Sequence, residues 1–561
     1  MIQRVFLYAC LLVLVSGSLM SFEIREKDLM GRIGRLRTKS GSVETPALLP
    51  VVNPAIQPIP PRKIRDEFGF EALITNAYIL KQRFRDEPTL GGLHRFLNFD
   101  GAIMTDSGAY QILIYGDVQA SPEEMVSYQE QIDSDVATIL DIPTGWEISE
   151  EHAARTVRET LKRARRLFKI KTRDDVLWVG PVQGGRYLDL VAKSARDMGK
   201  LPFDIHALGS PTEVMERYRF DVLVDMIMAA KMNMPLDRPL HLFGAGHPFM
   251  FALAVALGCD LFDSAAYALY ARENRYMTEN GTHRLNELTY FPCACPRCSR
   301  STPKNVLELD RGQRLSFLAE HNLYVCGAEM RRVKQAVKDG RLWEHVEMRA
   351  HAHPALLQAL RKFSKYEQTL EKNSPATKNR GLFSFNSISL MRPEVVHHRR
   401  MLTQRYTKPE DAETLLLMPQ TQTKPYHKSR EYKQIARILR RQRQGDNRVH
   451  VCFYAAPFGV IPKELDEVYP LSQHETVVPP DDETVEYVAD QVADYVTRTS
   501  YKSVILINDA KNWKRTVLNT CRRTCRKKNV CFKTLSIERA SVALAKTLII
   551  SVGNHDSFQA L

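Results

Sequence analysis

Gly101-Ala-Ile-Met-Thr-Asp-Ser-Gly-Ala109 is a short apolar run that stops abruptly on a carboxylate and a small-residue turn. The same kind of unit, an apolar run ended abruptly by a small or acidic residue, recurs at 45–53, 70–78, 136–144, 176–184, 203–209, 240–246 and 259–266, which makes eight in all. The segments between carry helical periodicity, most clearly at 121–134, 149–170 and 186–201, each opened by a capping residue or an early acid. Near-continuously apolar strands alternating with helices predict parallel pairing with both faces of the sheet covered. Eight such units predict an α/β fold, a (β/α)8 barrel of the TIM type.

A barrel of this type keeps its active site at the carboxyl ends of its strands. The sequence places Asp106 after the third run, Asp141 after the fourth and Gln183 after the fifth. Ala207 and Gly209 lie at the sixth, Phe243 and Gly244 at the seventh, and Asp263 at the eighth. A carboxylate that ends an apolar strand shifts its pKa or destabilises the fold unless it is paired. Three converging on one rim point to chemistry more than to helix capping.

Beyond the last run, Cys293-Ala-Cys295-Pro-Arg-Cys298 and His321 form a three-thiolate, one-imidazole set. Such a set closes a tetrahedral zinc site and leaves no position for a catalytic water, so one structural Zn2+ is expected within a subdomain at 285–325. Pro292 and Pro296 bend the backbone as a ligand knuckle requires. The remaining seven cysteines show no paired framework, which fits a reducing compartment. Cys521, Cys525 and Cys531 sit among lysines and arginines and read as part of a basic helix face.

The 561 residues are too many for one core, and 44% hydrophobic with 26% charged residues describes a globular chain. The formal net charge of +14 favours a polyanionic partner without saying which. Residues 1–19 read as a secretory leader that conflicts with the rest, and Met20 is expected to be the true start. The expected organisation is a barrel at 21–362, with helix from 313 to 362, and a linker at 364–381. A first C-terminal domain at 382–445 and a second at 446–561 follow, with strands at 414–418, 449–455, 503–508 and 548–552.

Thr105-Asp-Ser-Gly-Ala-Tyr-Gln111, Val182-Gln-Gly-Gly185, His241-Leu-Phe-Gly-Ala-Gly246, Asp260-Leu-Phe-Asp263 and the cysteine knuckle, in this order, resemble the tRNA-guanine transglycosylases, above all their archaeal branch. The resemblance covers roughly residues 21–360. It implies exchange of guanine at position 15 of the tRNA D-arm for 7-cyano-7-deazaguanine (preQ0), in archaeosine biosynthesis. It further implies Asp263 as the nucleophile on C1′ and Asp106 as general acid/base. The residues alone do not assign these two roles, and the swapped assignment stays open. By the same resemblance Asp141 reads the amino and ring N–H groups of the base. Gln183, Ala207 and Gly209 address its carbonyl and seven-position substituent, Ser107 is a further contact, and Tyr110 and Phe243 sandwich the ring.

Phosphate contacts are expected among Arg35, Arg37, Lys39, 397–400, 437–443 and 514–528. The C-terminal stretches 415–426 and 455–465 resemble archaeosine synthase, with Gln420 where such enzymes carry cysteine. An enzyme of that kind acting through Lys424, or a tRNA-binding protein without turnover, are the alternative functions. No PUA module is recognised, so a separate PUA-containing partner is expected, along with a cytoplasmic homodimer and no membrane association.

Overall fold

The computed structural model describes residues 21–109, 120–441 and 448–536. The leader, Tyr110 and the strand expected at 548–552 lie outside them. The chain divides into two units, Met1–Lys362 and Phe363–Leu561.

In the first unit eight parallel strands close a barrel. They are β1 (Ala47–Val52), β2 (Ala72–Asn76), β3 (Ala102–Asp106), β4 (Val136–Thr138), β5 (Leu177–Val182), β6 (Ile205–Leu208), β7 (Leu240–Leu242) and β8 (Leu261–Ser264). Each lies inside one of the eight apolar runs. Alternation along the strands sends Leu49, Ile74, Met104, Val136, Val179, Ile205 and Leu261 into one packed interior, so the barrel is a filled core. The helices begin where local chemistry directs them. Ser121 and Glu124 form a reciprocal capping box ahead of Pro122–Gln131, and the Ser149 hydroxyl accepts the His152 N–H ahead of Glu150–Ile170.

A three-stranded antiparallel sheet, Phe22–Asp28, Gly31–Thr38 and Gly41–Thr45, precedes the barrel and was not legible as such in the sequence. Its Phe22, Leu36 and Val43 join the barrel interior. Arg32 of this sheet fastens it to the barrel by a bidentate pair to Asp260, at 2.7 and 2.9 Å, with both side chains almost fully buried. After β8 come a hairpin of Arg275–Thr278 and Gly281–Arg284, the cysteine knuckle, and the helices Arg311–Lys338, Leu342–Ala350 and Pro354–Arg361.

The second unit departs from the expected layout. Residues 364–381, expected as a pattern-free linker, include the helix Glu367–Asn373, whose Leu370 is buried. The boundary expected at 445/446 falls within a single five-stranded sheet. Its strand Thr414–Pro419 pairs in parallel with Val449–Ala455 on one side and Ser503–Asn508 on the other. Two apolar clusters pack on this sheet, and both include residues from either side of 445/446. One sheet shared by both segments leaves neither a core of its own, so they fold as one body.

Candidate active site at the carboxyl rim

Asp106 ends β3, directly opposite Asn76 at the end of β2. The Asn76 amide donates to Asp106 Oδ2 at 2.9 Å, while its own oxygen caps the next helix by accepting the Ile79 N–H. Burial, with the nearby charges of Asp141 and then Asp263, raises the Asp106 carboxyl from 3.8 to about 7, against the pull of the Gly108 and Ser107 N–H groups. Near neutrality it can therefore hold or release a proton, as a general acid/base must.

Asp141 lies in the segment after β4 and is almost completely buried. Burial raises its carboxyl to about 6, partly offset by a hydrogen bond from Gln183. That bond, Nε2 to Oδ2 at 2.5 Å, has a fixed sense, because the Gln183 carbonyl oxygen already accepts the Thr144 N–H and the Ser210 hydroxyl, each at 3.0 Å. Gly209 makes this possible, since a Cβ there would stand 2.2 Å from Gln183 Nε2. Ser107 donates its hydroxyl to the Ile139 carbonyl at 2.9 Å and so ties β3 to the end of β4. Ala207 is fully buried in the barrel core.

Asp263 sits near the end of β8. Its Oδ1 receives the His241 ring N–H from β7 and the Gly244 N–H, each at 2.9 Å. Oδ2 has no hydrogen-bond partner among the described residues, and the side chain keeps 13% exposure. Phe243 packs its ring 4.6 Å from the His241 ring, while the second expected ring, Tyr110, lies outside the described residues.

The cysteine knuckle assembles as its spacing required. One ligand atom from each of Cys293, Cys295, Cys298 and His321 lies within 4.8 Å of the others. His321 Nε2–H donates to the Met277 carbonyl at 2.8 Å, so the Nδ1 lone pair faces Cys298 Sγ at 3.2 Å and Cys295 Sγ at 3.6 Å. This is the oriented tautomer that a metal-binding imidazole needs. Tyr276 stacks on the same ring at 3.7 Å. Hydrogen bonds among the thiols pull Cys293 far below the ordinary thiol range and push Cys298 far above it. Three thiolates do not coexist in this volume without a cation, so the residues fit a closed metal site.

Residues 28–355 match the family described as Queuine tRNA-ribosyltransferase. The chain belongs to this family. Residues 395–544 match a domain of unknown function, DUF5591. The chain is similar to the tRNA-guanine(15) transglycosylase of Sulfolobus acidocaldarius, at 40% identity over 87% of this chain and 95% of that one. It is also similar to those of Saccharolobus solfataricus, at 41% over 87% and 97%, and Aeropyrum pernix, at 49% over 67% and 73%.

Within this tRNA-ribosyltransferase barrel the sequence reading missed Asn76, Thr144, Ser210 and the site role of His241. Asn76 carries the signal used for Asp106, a polar residue ending an apolar run. Of the basic positions expected to meet phosphate, several are paired within the chain: Lys39 with Asp133, Arg37 with Glu23, Arg399 with Glu367, Arg400 with Glu371 and Lys514 with Asp482. In the second unit the Gln420 side chain accepts the Ala456 N–H at 2.9 Å and holds a turn. No helix among the described residues is long and apolar enough to cross a membrane.

Proposed function

We propose that the chain is a tRNA-guanine(15) transglycosylase that exchanges guanine for 7-cyano-7-deazaguanine in the D-arm, in archaeosine biosynthesis. One observation carries the mechanism: two half-buried rim carboxylates are held differently, Asp106 raised to about 7, Asp263 with one oxygen fixed by two donors and the other without a hydrogen-bond partner among the described residues. Asp263 Oδ2 attacks C1′ as the bond to guanine N9 breaks, and the Asp106 proton goes to the departing base. The incoming base then gives its N9 proton to Asp106, its N9 attacks C1′, and Asp263 leaves. No water enters the balance, so the product is an exchanged nucleotide.

Asp141 takes the amino and ring N–H groups of the purine. The second Nε2 hydrogen of Gln183 serves the carbonyl. Gly209 and the backbone near Ala207 face the seven-position substituent, and Phe243 covers one ring face. Zn2+ is the metal that Cys293, Cys295, Cys298 and His321 would hold, as a clip between hairpin, knuckle and long helix rather than as a reactant. Binding of tRNA, a cytoplasmic location, a homodimer and a PUA-containing partner complete the proposal. The deciding experiment is incorporation of radiolabelled guanine into tRNA. Wild type is expected to incorporate it, and Asp263→Ala to lose incorporation while keeping metal content and tRNA binding; incorporation by the variant at the wild-type rate sinks the mechanism.

A further inference from the structure

Three loops at the carboxyl rim, following β4, β5 and β6, are locked to one another. The Tyr187 hydroxyl donates to the Ile148 carbonyl at 2.7 Å, the Gly184 N–H to Thr144 Oγ1 at 3.2 Å, and the Trp146 N–H to Glu213 Oε2 at 3.0 Å. Gly184 and Gly185 both have positive φ, at 143° and 56°, and turn the chain sharply just past Gln183. The residue delivered by that turn is Arg186.

Its guanidinium lies 5.7 Å from the Trp146 ring centroid and 5.4 Å from that of Tyr187. The arginines on the neighbouring loop are neutralised: Arg219 by Asp221 at 3.0 and 3.2 Å, and Arg217 by Glu147 at 2.8 Å. Arg186 has no carboxylate partner among the described residues. Among the described residues its only hydrogen bond is to the Tyr187 hydroxyl at 3.4 Å, and it is exposed.

Aromatic support orients the guanidinium plane while leaving most of its N–H edge free. A planar fork of donors without a counter-ion is suited to a phosphate, which it grips by two parallel bonds. We infer that Arg186, positioned by Trp146 and Tyr187, binds a backbone phosphate flanking the nucleotide whose base enters the Asp141–Gln183 pocket. The placement is what selects a phosphate: Arg186 stands three residues past Gln183, so a nucleotide presenting its base there brings its backbone to this rim. The inference rests on the tRNA-exchange reading above.

The test compares full-length wild type with Arg186→Gln, Arg186→Lys, Trp146→Ala and the double variant R186Q/W146A. It reads KM for tRNA and for guanine, and the salt dependence of tRNA retention on filters. Loss of one phosphate contact is expected to flatten the log–log salt slope by about 0.7–0.9. It also raises the tRNA KM about tenfold with kcat and guanine KM unchanged. Lysine restores the slope but only part of the affinity, and W146A adds nothing to R186Q, because the ring acts through the arginine. An unchanged slope in R186Q, an equal rise in guanine KM, or additive losses in the double variant overturn the assignment. Absence of exchange in wild type overturns the exchange reading separately, and filter retention still decides on Arg186.

Discussion

Asp106→Asn is expected to make the protein more stable and inactive at once. The substitution preserves shape, keeps one oxygen to accept the hydrogen bond from Asn76, and removes the capacity to ionise. In the wild type the carboxyl is raised from 3.8 to about 7 by burial and by Asp141 and Asp263. A carboxyl raised on folding binds its proton more tightly in the native state than in the unfolded one. Native stability therefore falls as pH climbs from about 4 to about 7 and stays reduced above that. The full interval corresponds to about 4 kcal/mol. Because the unfolded carboxyl is already mostly ionised at pH 5, the advantage of the asparagine variant should be about 2 kcal/mol there and about 4 kcal/mol at pH 8. In melting temperature the pH 8 figure is on the order of 5–10 °C for a unit of this size.

The assay is paired thermal melts of wild type and variant from pH 5 to pH 8. Changes common to both, such as loss of a thiolate-bound metal in acid, cancel in the difference. A difference that stays flat across this range, or a variant less stable than wild type at pH 8, refutes the idea that Asp106 is held protonated by its surroundings. The proton would then have to be managed by another group.

His241→Phe removes one of the two donors on Asp263 Oδ1 and leaves the Gly244 N–H. Steady-state exchange should show kcat reduced about ten- to a hundredfold with tRNA KM unchanged. Gly209→Ala sets a methyl where Gln183 Nε2 now lies, 2.2 Å from the new carbon, so the amide must leave Asp141. The guanine KM should rise about tenfold, with tRNA affinity in filter retention unaffected. Cys295→Ala removes one of four ligand atoms. Metal analysis should find the bound ion lost, melts should show a large drop in stability, and tRNA binding should weaken along with it.

The barrel was legible in the sequence because each strand is a separate apolar run ended by a small or polar residue, and parallel strands buried on both faces read as near-continuous apolar runs. The knuckle was legible because four soft ligands at close spacing have few other uses. The antiparallel sheet Phe22–Thr45 was not, since its first strand exposes Glu23, Ile24 and Arg25 and offers no clean alternation. The single C-terminal sheet was not either. Pairing of Thr414–Pro419 with Ser503–Asn508 is a contact between distant segments, and nothing local marks it. The rim residues fell between these cases. Strand ends pointed to Asp106, Asp141 and Asp263, but the groups that define their chemistry, Asn76, Gln183 as donor, and His241, are partners across strands rather than neighbours in sequence.

Asp260 and Asp263 show how much that partnership decides. They lie three residues apart at the two ends of one strand, and by sequence alone either could be offered as a nucleophile. Asp260 has Arg32 across both oxygens, with the Leu240 N–H also on Oδ2 at 2.8 Å, and no exposed surface. A carboxylate so completely satisfied has no lone pair to give without breaking the contact that joins the preceding sheet to the barrel, and breaking a buried pair costs about 3–5 kcal/mol. Asp263 has the opposite arrangement, one oxygen fixed by two donors and the other open at the rim. Fixing one oxygen orients the carboxylate without quenching it, which is what attack at a sugar carbon requires. In the proposed mechanism the nucleophile is therefore distinguished by its unfilled hydrogen-bonding capacity, and Asp106, raised to about 7, takes the role that needs a movable proton.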